Sequence, residues 1–472
     1  MAGEPLHYRN LTEVAAAIGR GEVSSVGVTE AILERIAELD PHYTCYLHLC
    51  AERALQQAAQ ADAEIAKGIR KGVLHGVPVA VKDLCYTTYA PTTAGTTIHR
   101  GFMAPFDATV VQRLEVAGAV MLGKLSMTEG AYTSHHPDVP YPPNPWNEGY
   151  WVGSSSTGSG VATALGMCFG ALGSDTGGSI RFPSATCGLT GIKPTWGRVS
   201  RHGVFALADS LDHVGPMCRS AADCAAILQA IAGWDVNDPT SIDAPVPDYM
   251  AEVGRSIRDL RIGVDRRYAL DGVDPQMAAA LEAAIAHFES LGARIVDIAF
   301  PESEPLVAQW IRMCAIETAI AHLETYPARA SEYGPELAQL IDEGRQTSGI
   351  DAGKGWLDRL AFTEALQTMF GGIDCMLIPT MPMTIPSLVK MGEYGEDPSI
   401  LTSILRFTAP FDFAGNPTIT LPNGFDSDGL PLSMQLVGPQ LGEAVLVRAG
   451  HAFQTVTDWH CRHPQAAPGG GA

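Results

Sequence analysis

The chain has 472 residues, 46% hydrophobic and 18% charged, with a formal net charge of -21. That is ordinary globular composition, sufficient for a sizeable core, and its 49 glycines and 32 prolines are dispersed as turn-makers rather than gathered into low complexity. The acidic excess argues against a general binder of phosphate backbones, which needs a basic face, and no Lys/Arg run supplies one locally.

Ten cysteines are scattered without a CxxC pair or a His/Cys cluster of zinc spacing. They read as buried free thiols in a reducing compartment, with no metal and no organic cofactor implied. The start, MAGEPLHYRN, lacks the features of a signal peptide, and no apolar run reaches the ~18 residues of a membrane span. A cytoplasmic location is expected.

In chain order, Thr12 and Glu13 open a first helix that runs to Gly19. Ser24 or Ser25 caps a second, with Val28, Ile32, Leu33 and Ile36 as its apolar stripe. Ala51 to Lys67 is an alanine-rich helix. Val77, Val79, Ala80 and Val81 form a short, β-branched buried strand that Lys82 closes. A lysine there must reach water or stay inside, uncharged or paired. Ala108 to Ala117 reads as a helix and Ala119 to Leu122 as a strand. The Pro- and aromatic-rich loop Tyr132 to Tyr150, with Asn144-Pro145-Trp146, suits one wall of a pocket. Two glycine/serine clusters follow, Gly153–Gly160 and Gly173–Ser179, separated by the small apolar run Val161 to Leu172. This reads as a loop, a buried small-residue helix and a second loop returning to the first, so that Ser155 and Ser179 can face one point.

Beyond Arg198, helices at Ala221–Ala232 and Pro275–Leu291 alternate with strands at Leu260–Val264 and Arg294–Ile298. The βαβ rhythm predicts an α/β fold with a parallel or mixed sheet and helices on its faces. Residues 300–370 are expected to form a variable helical, cap-like region. Strands follow at Asp374–Ile378, Asn416–Leu421 and Leu432–Val437. One domain over 1–463 and a disordered Pro/Gly/Ala-rich tail over 464–472 complete the expectation.

Lys82, Ser155 and Ser179 are the candidate chemistry. Serine is a weak nucleophile without a base, and a lysine serves as one where burial lowers its pKa from about 10.4. Asp175-Thr176-Gly177-Gly178-Ser179 offers unobstructed backbone N–H groups beside Ser179, the makings of an oxyanion hole. Plainer readings stay open: a solvated strand-end lysine, a turn or helix cap, or an anion cradle at a helix start. The chain has no GxxxxGK[ST], and no GxGxxG with an acidic partner follows a strand. Tyr132, Trp146 and Tyr150 suggest an aromatic-lined pocket for a small apolar or aryl compound, with packing as the alternative.

Longer motifs carry a resemblance. They are Leu74-His-Gly-Val-Pro-Val-Ala-Val-Lys-Asp83, Gly118 to Lys124, Asn144-Pro145-Trp146, Gly153-Ser-Ser-Ser-Thr-Gly158, Gly173-Ser-Asp-Thr-Gly-Gly-Ser-Ile-Arg181, Cys187 to Thr195, Ser210 to Pro216, Gly415-Asn-Pro417 and Gly429 to Pro439. Together they resemble the amidase signature family over most of the chain outside about 300–370. The resemblance implies that family's fold, a large mixed twisted sheet covered by helices on both faces. It implies a Ser–cisSer–Lys triad in which Lys82 is the base, Ser155 the relay behind a cis peptide and Ser179 the nucleophile. The oxyanion would rest on the N–H groups of Thr176, Gly177 and Gly178, joined by that of Ser179, with Asp175 and Arg181 as a supporting pair. One departure stands out: the family's usual Gly-Gly-Ser-Ser-Gly-Gly is here Gly153-Ser154-Ser155-Ser156-Thr157-Gly158, and the register still selects Ser155. The implied activity is hydrolysis of the C–N bond of small amides, with aryl amides, esters or carbamates in range. The alternative is the glutamine amidase component of a tRNA-dependent amidotransferase; a catalytically dead binding module is disfavoured by the intact triad. The expected partner is a small-molecule amide, with no nucleic acid and no membrane, and family analogy allows a homodimer.

Overall fold

The computed structural model describes residues 4–394 and 398–465. Its strands, in chain order, are β1 (Tyr46–Leu49), β2 (Pro78–Lys82), β3 (Val120–Leu125), β4 (Gly170–Asp175), β5 (Thr190–Lys193), β6 (His213–Cys218), β7 (Arg261–Val264), β8 (Arg294–Asp297), β9 (Cys375–Pro379), β10 (Thr418–Phe425) and β11 (Pro431–Val437). All join one 11-stranded sheet in the order β1-β3-β2-β4-β6-β5-β10-β11-β9-β7-β8. The sheet is mixed: β2 runs parallel to both its neighbours, β7 is parallel to β8 and β9, and the pairs from β4 to β9 across the middle are antiparallel. The α/β class and the mixed sheet expected from the sequence are what the chain forms.

The sheet's geometry creates the site. β2 is buried along its whole length because Val79, Ala80 and Val81 pack on both faces. It runs parallel to β4, with Ala80 opposite Ala171 and Val81 opposite Leu172. Both strands therefore end at the same edge, and Lys82 and Asp175 are brought together from 93 positions apart in the chain (175 − 82 = 93).

Several elements differ from the expectation. The run Val161 to Leu172 is not one helix: a helix covers Thr157–Ala164, and β4 begins at Gly170. Every residue of both is buried, so small side chains reflect tight packing on all sides. At Gly158 a Cβ would lie 2.6 Å from the Ser126 backbone nitrogen. β3 runs on to Leu125 because β1, absent from the expectation, pairs with its end at Tyr46↔Leu125. β5 and β6 were likewise not foreseen.

Helices Glu304–Ala321, Pro335–Gln346 and Gly349–Phe370 occupy the expected helical stretch. A small separate apolar cluster there joins Ala319, Tyr326, Tyr333, Leu337 and Ile341 to Ile98. All ten cysteines are free; Cys50 is half-buried, Cys461 exposed and the others buried. No helix among the described residues is long and apolar enough to cross a membrane. From residue 466 onward, the expected disordered tail lies outside the described residues.

Candidate active site

Lys82 closes β2 with 0% exposure. Its Nζ lies 2.6 Å from Ser155 Oγ, 2.8 Å from Ser174 Oγ and 3.0 Å from Ser156 Oγ. It makes no ion pair among the described residues, although Asp175 and Asp212 are near enough to favour its charge. Burial outweighs them and pulls the amine from 10.5 down to about 7. A free amine has two N–H donors and one lone pair. Among three hydroxyls it can donate to two and accept from the third, and Ser155 is the nearest.

Ser155 and Ser179 sit on two loops tied through the backbone. The Ser154–Ser155 peptide is cis. The Ser155 carbonyl accepts from Thr128 N–H at 3.2 Å, and Ser156 N–H donates to the Ser179 carbonyl at 3.3 Å. No hydrogen bond joins the two serine hydroxyls among the described residues. Ser155 is 0% exposed and Ser179 9%, so Ser179 is the member of the set that reaches the surface.

Asp175 and Arg181 organise the second loop. The Asp175 carboxylate accepts from Gly178 N–H at 2.6 Å, Ile180 N–H at 3.0 Å and Arg181 N–H at 3.2 Å. It also takes Arg181 Nε at 3.0 Å and Nη2 at 2.8 Å. Burial alone would raise its pKa, but the charge of Arg181 prevails and holds the carboxyl well below the usual range. Arg181 also reaches the Asp412 carboxylate and the Thr408 carbonyl. The two charges tie residues of this loop to each other and to Asp412.

One of the expected oxyanion donors is occupied. Gly178 N–H donates to the Asp175 carboxylate. Of this loop's N–H groups, those of Thr176, Gly177 and Ser179 have no partner among the described residues. Gly178 has φ +137°, and a Cβ there would lie 2.3 Å from the Phe182 ring, so only glycine fits.

The aromatic residues divide. Tyr132 sits on the segment that contacts Ser155 through Thr128, and packs against the cluster containing Tyr326, Tyr333 and Leu337. Trp146 and Tyr150 are not brought to the serines. Trp146 donates its indole N–H to Cys187 O at 3.0 Å and packs on Phe425, at the far end of helix Arg181–Cys187 from Ser179. Tyr150 donates to Asp428 at the surface. The aromatic groups beside Ser179 are Phe182, with Trp151 5.6 Å away, and Trp310, whose indole N–H donates to Thr176 O at 2.8 Å.

Three site residues escaped the sequence reading. Ser174 lies inside the motif Gly173–Arg181, and recognising β4 as a strand would have aimed it at Lys82. His135 shares a 3.2 Å hydrogen bond with Thr157 Oγ1, and the signal was the departure from glycine at 157. Burial, with the Lys82 charge adding to it, pushes this imidazole down to about 3, so it is neutral. Trp310 had no local signal.

The amidase family model matches residues 27–447. AmiD of Mycobacterium tuberculosis, named as an unproven amidase, is 50% identical over 454 residues, covering 96% of this chain and 95% of that protein. A glutamyl-tRNA(Gln) amidotransferase component of Methylococcus capsulatus is 38% identical over 488 residues, covering 97% and 99%. The solved peptide amidase of Stenotrophomonas maltophilia superposes with a TM-score of 0.83 at 27% identity, covering 98% of this chain and 99% of that one. A family match from residue 27 to 447 and half identity along nearly the whole length admit one conclusion: the chain belongs to the amidase signature family.

Proposed function

We propose that this amidase hydrolyses the C–N bond of small amides through an acyl-enzyme on Ser179. The observation that carries the reading is the fully buried Lys82 amine, lowered to about 7 and 2.6 Å from Ser155 Oγ, on the loop that touches the Ser179 backbone. Neutral Lys82 takes a proton from Ser155, which takes one from Ser179 as Ser179 Oγ attacks the carbonyl carbon. The tetrahedral oxyanion is held by the N–H groups of Thr176, Gly177 and Ser179. The proton returns along the same path to the leaving amine as the C–N bond breaks. Water, deprotonated by the same relay, then releases the acid. The mutual contact of Ser155 and Ser179 forms as substrate enters, since apo catalytic hydrogen bonds are often long. Aryl amides are the proposed substrate class, with the matching esters and carbamates as further candidates, because Phe182 and Trp310 flank the nucleophile.

A second reading has one observation in its favour: 38% identity across the whole length of an amidotransferase component. The discriminating experiment is a hydrolysis screen of the purified chain beside Ser179→Ala, using nitroanilide amides, matching esters, a carbamate and glutamine. Nitroaniline release that falls by about three orders of magnitude or more in Ser179→Ala supports the first reading. Glutamine hydrolysis alone, or activity only with partner proteins, moves the assignment to the second. Near wild-type turnover in Ser179→Ala refutes the nucleophile in both.

A further inference from the structure

Trp310 lies on helix Glu304–Ala321, inside the stretch where the motifs of the family are weakest, and is 5% exposed. Its indole N–H donates to the Thr176 carbonyl at 2.8 Å. Its six-membered ring covers Gly177: a Cβ added there would lie 2.3 Å from Cζ2 and 2.7 Å from Cη2. The peptide between Thr176 and Gly177 is trans, because the cis bonds among the described residues lie elsewhere. In a planar trans peptide the carbonyl and the next N–H point in opposite directions. Fixing the Thr176 carbonyl on the indole therefore fixes the Gly177 N–H on the other side of the plane. That N–H is one of the three without a partner around Ser179 among the described residues. The Thr176 side chain is pinned as well, its Oγ1 donating to Asp212 at 2.6 Å.

We propose that Trp310 is a positioning residue for the oxyanion hole. Its N–H sets the direction of the Gly177 amide, and its ring keeps position 177 a glycine while closing that side of the pocket. This rests on Ser179 being the nucleophile. Without the indole N–H, the Thr176–Gly177 peptide loses its only anchor on the carbonyl side among the described residues and can rotate. The donor would then have to be reoriented in the transition state, when charge appears on the substrate oxygen. Ground-state binding gains little from that donor, so the effect falls on kcat rather than on KM.

The test compares Trp310→Phe, which keeps a ring but lacks the donor, and Trp310→His, which keeps a ring N–H, with wild type and Ser179→Ala. Three quantities are read: kcat and KM on a nitroanilide amide, inhibition by phenylboronic acid as a tetrahedral mimic, and the thermal midpoint. Direct removal of an oxyanion donor costs roughly 100- to 1,000-fold in kcat, so loss of its positioning group should cost about 10- to 100-fold. The expected result for Trp310→Phe is that loss in kcat, KM within about threefold of wild type, and a parallel loss of boronate affinity. Trp310→His should recover part of both losses. Wild-type kcat in Trp310→Phe overturns the proposal, and so does a loss carried entirely by KM. If Trp310→Phe does not fold, Trp310→His decides: reduced kcat with unchanged boronate affinity overturns it. Activity persisting in Ser179→Ala strikes instead at the nucleophile assignment.

Discussion

Between about pH 5 and pH 7, kcat/KM on a nitroanilide should rise about tenfold per pH unit, and it should level off above about pH 8. The perturbation is protonation of Lys82. With its pKa lowered to about 7, half the enzyme carries the free amine at neutrality. At the ordinary value of 10.5, only about one molecule in 3,000 would do so at pH 7. Burial of this one side chain therefore makes about three decades of base available. The sign follows: a lowered lysine pKa means the active, uncharged form is present above about 7 and lost below it. Two buried carboxyls fall in the same window, and burial pulls Lys193 down to about 8 at its upper edge. Burial pushes Asp212 and Glu129 up to about 7, against hydrogen bonds from Thr176 and Gly334 respectively. The profile should therefore be measured also in Asp212→Asn and Glu129→Gln, with Ser179→Ala as background. The acid limb should persist in both carboxylate variants. A limb that appears only above about pH 9, a flat profile, or a limb that vanishes with either carboxylate refutes the assignment to Lys82.

Lys82→Met keeps the buried stem and removes the amine; kcat should fall by at least about 1,000-fold with a folded protein by circular dichroism, and activity within tenfold of wild type would count against the base. Gly178→Ala must place a methyl 2.3 Å from the Phe182 ring at φ +137°, so both activity and thermal midpoint should drop, and an unchanged midpoint would contradict the loop geometry. Tyr150→Phe removes a surface hydrogen bond to Asp428 and should leave KM for every substrate unchanged. Tyr132→Ala, on the segment bonded to Ser155, should alter KM, and the opposite pattern would return Tyr150 to the pocket.

The residues of the candidate site were legible where the signal is short-range. β2 announces itself by the short apolar run Val77, Val79, Ala80 and Val81, and the lysine that closes it must either reach water or stay inside, uncharged or paired. The two glycine/serine loops are equally local. What failed was the segment between them. Helix Thr157–Ala164 and β4 are buried on every side, so neither shows the apolar period that separates helix from strand. β1 and β5 are four residues long, too short to display alternation. The pocket was the least legible part. Trp146 and Tyr150 are close to the serine loops in sequence, yet the chain turns them toward Phe425 and Asp428. Trp310 is 134 positions from Thr176 and no pattern links the two.

The loop's amides show how a motif can name a loop without giving the direction of each N–H: of the four expected donors, Gly178 alone is taken by Asp175. Counting glycines favours Gly177 and Gly178, but counting says nothing of direction. The Asp175 carboxylate competes for the loop's N–H groups and takes those of Gly178, Ile180 and Arg181 as charge-assisted bonds. It cannot let go, because Arg181 is buried and needs its charge. The pair thus sorts the amides, drawing one set inward and leaving those of Thr176, Gly177 and Ser179 unpartnered among the described residues, as the proposed oxyanion hole requires. Asp175→Asn tests this, since it preserves shape and removes charge. The bond from Gly178 N–H weakens, as hydrogen bonds to charged groups are worth roughly 1.5–3 kcal/mol. Asp412 remains against Arg181, so the fold should survive with a lowered midpoint. The freed loop should then lose kcat by about tenfold or more while KM changes little. A variant with lowered stability and wild-type kcat would show that Asp175 braces the loop without choosing its donors.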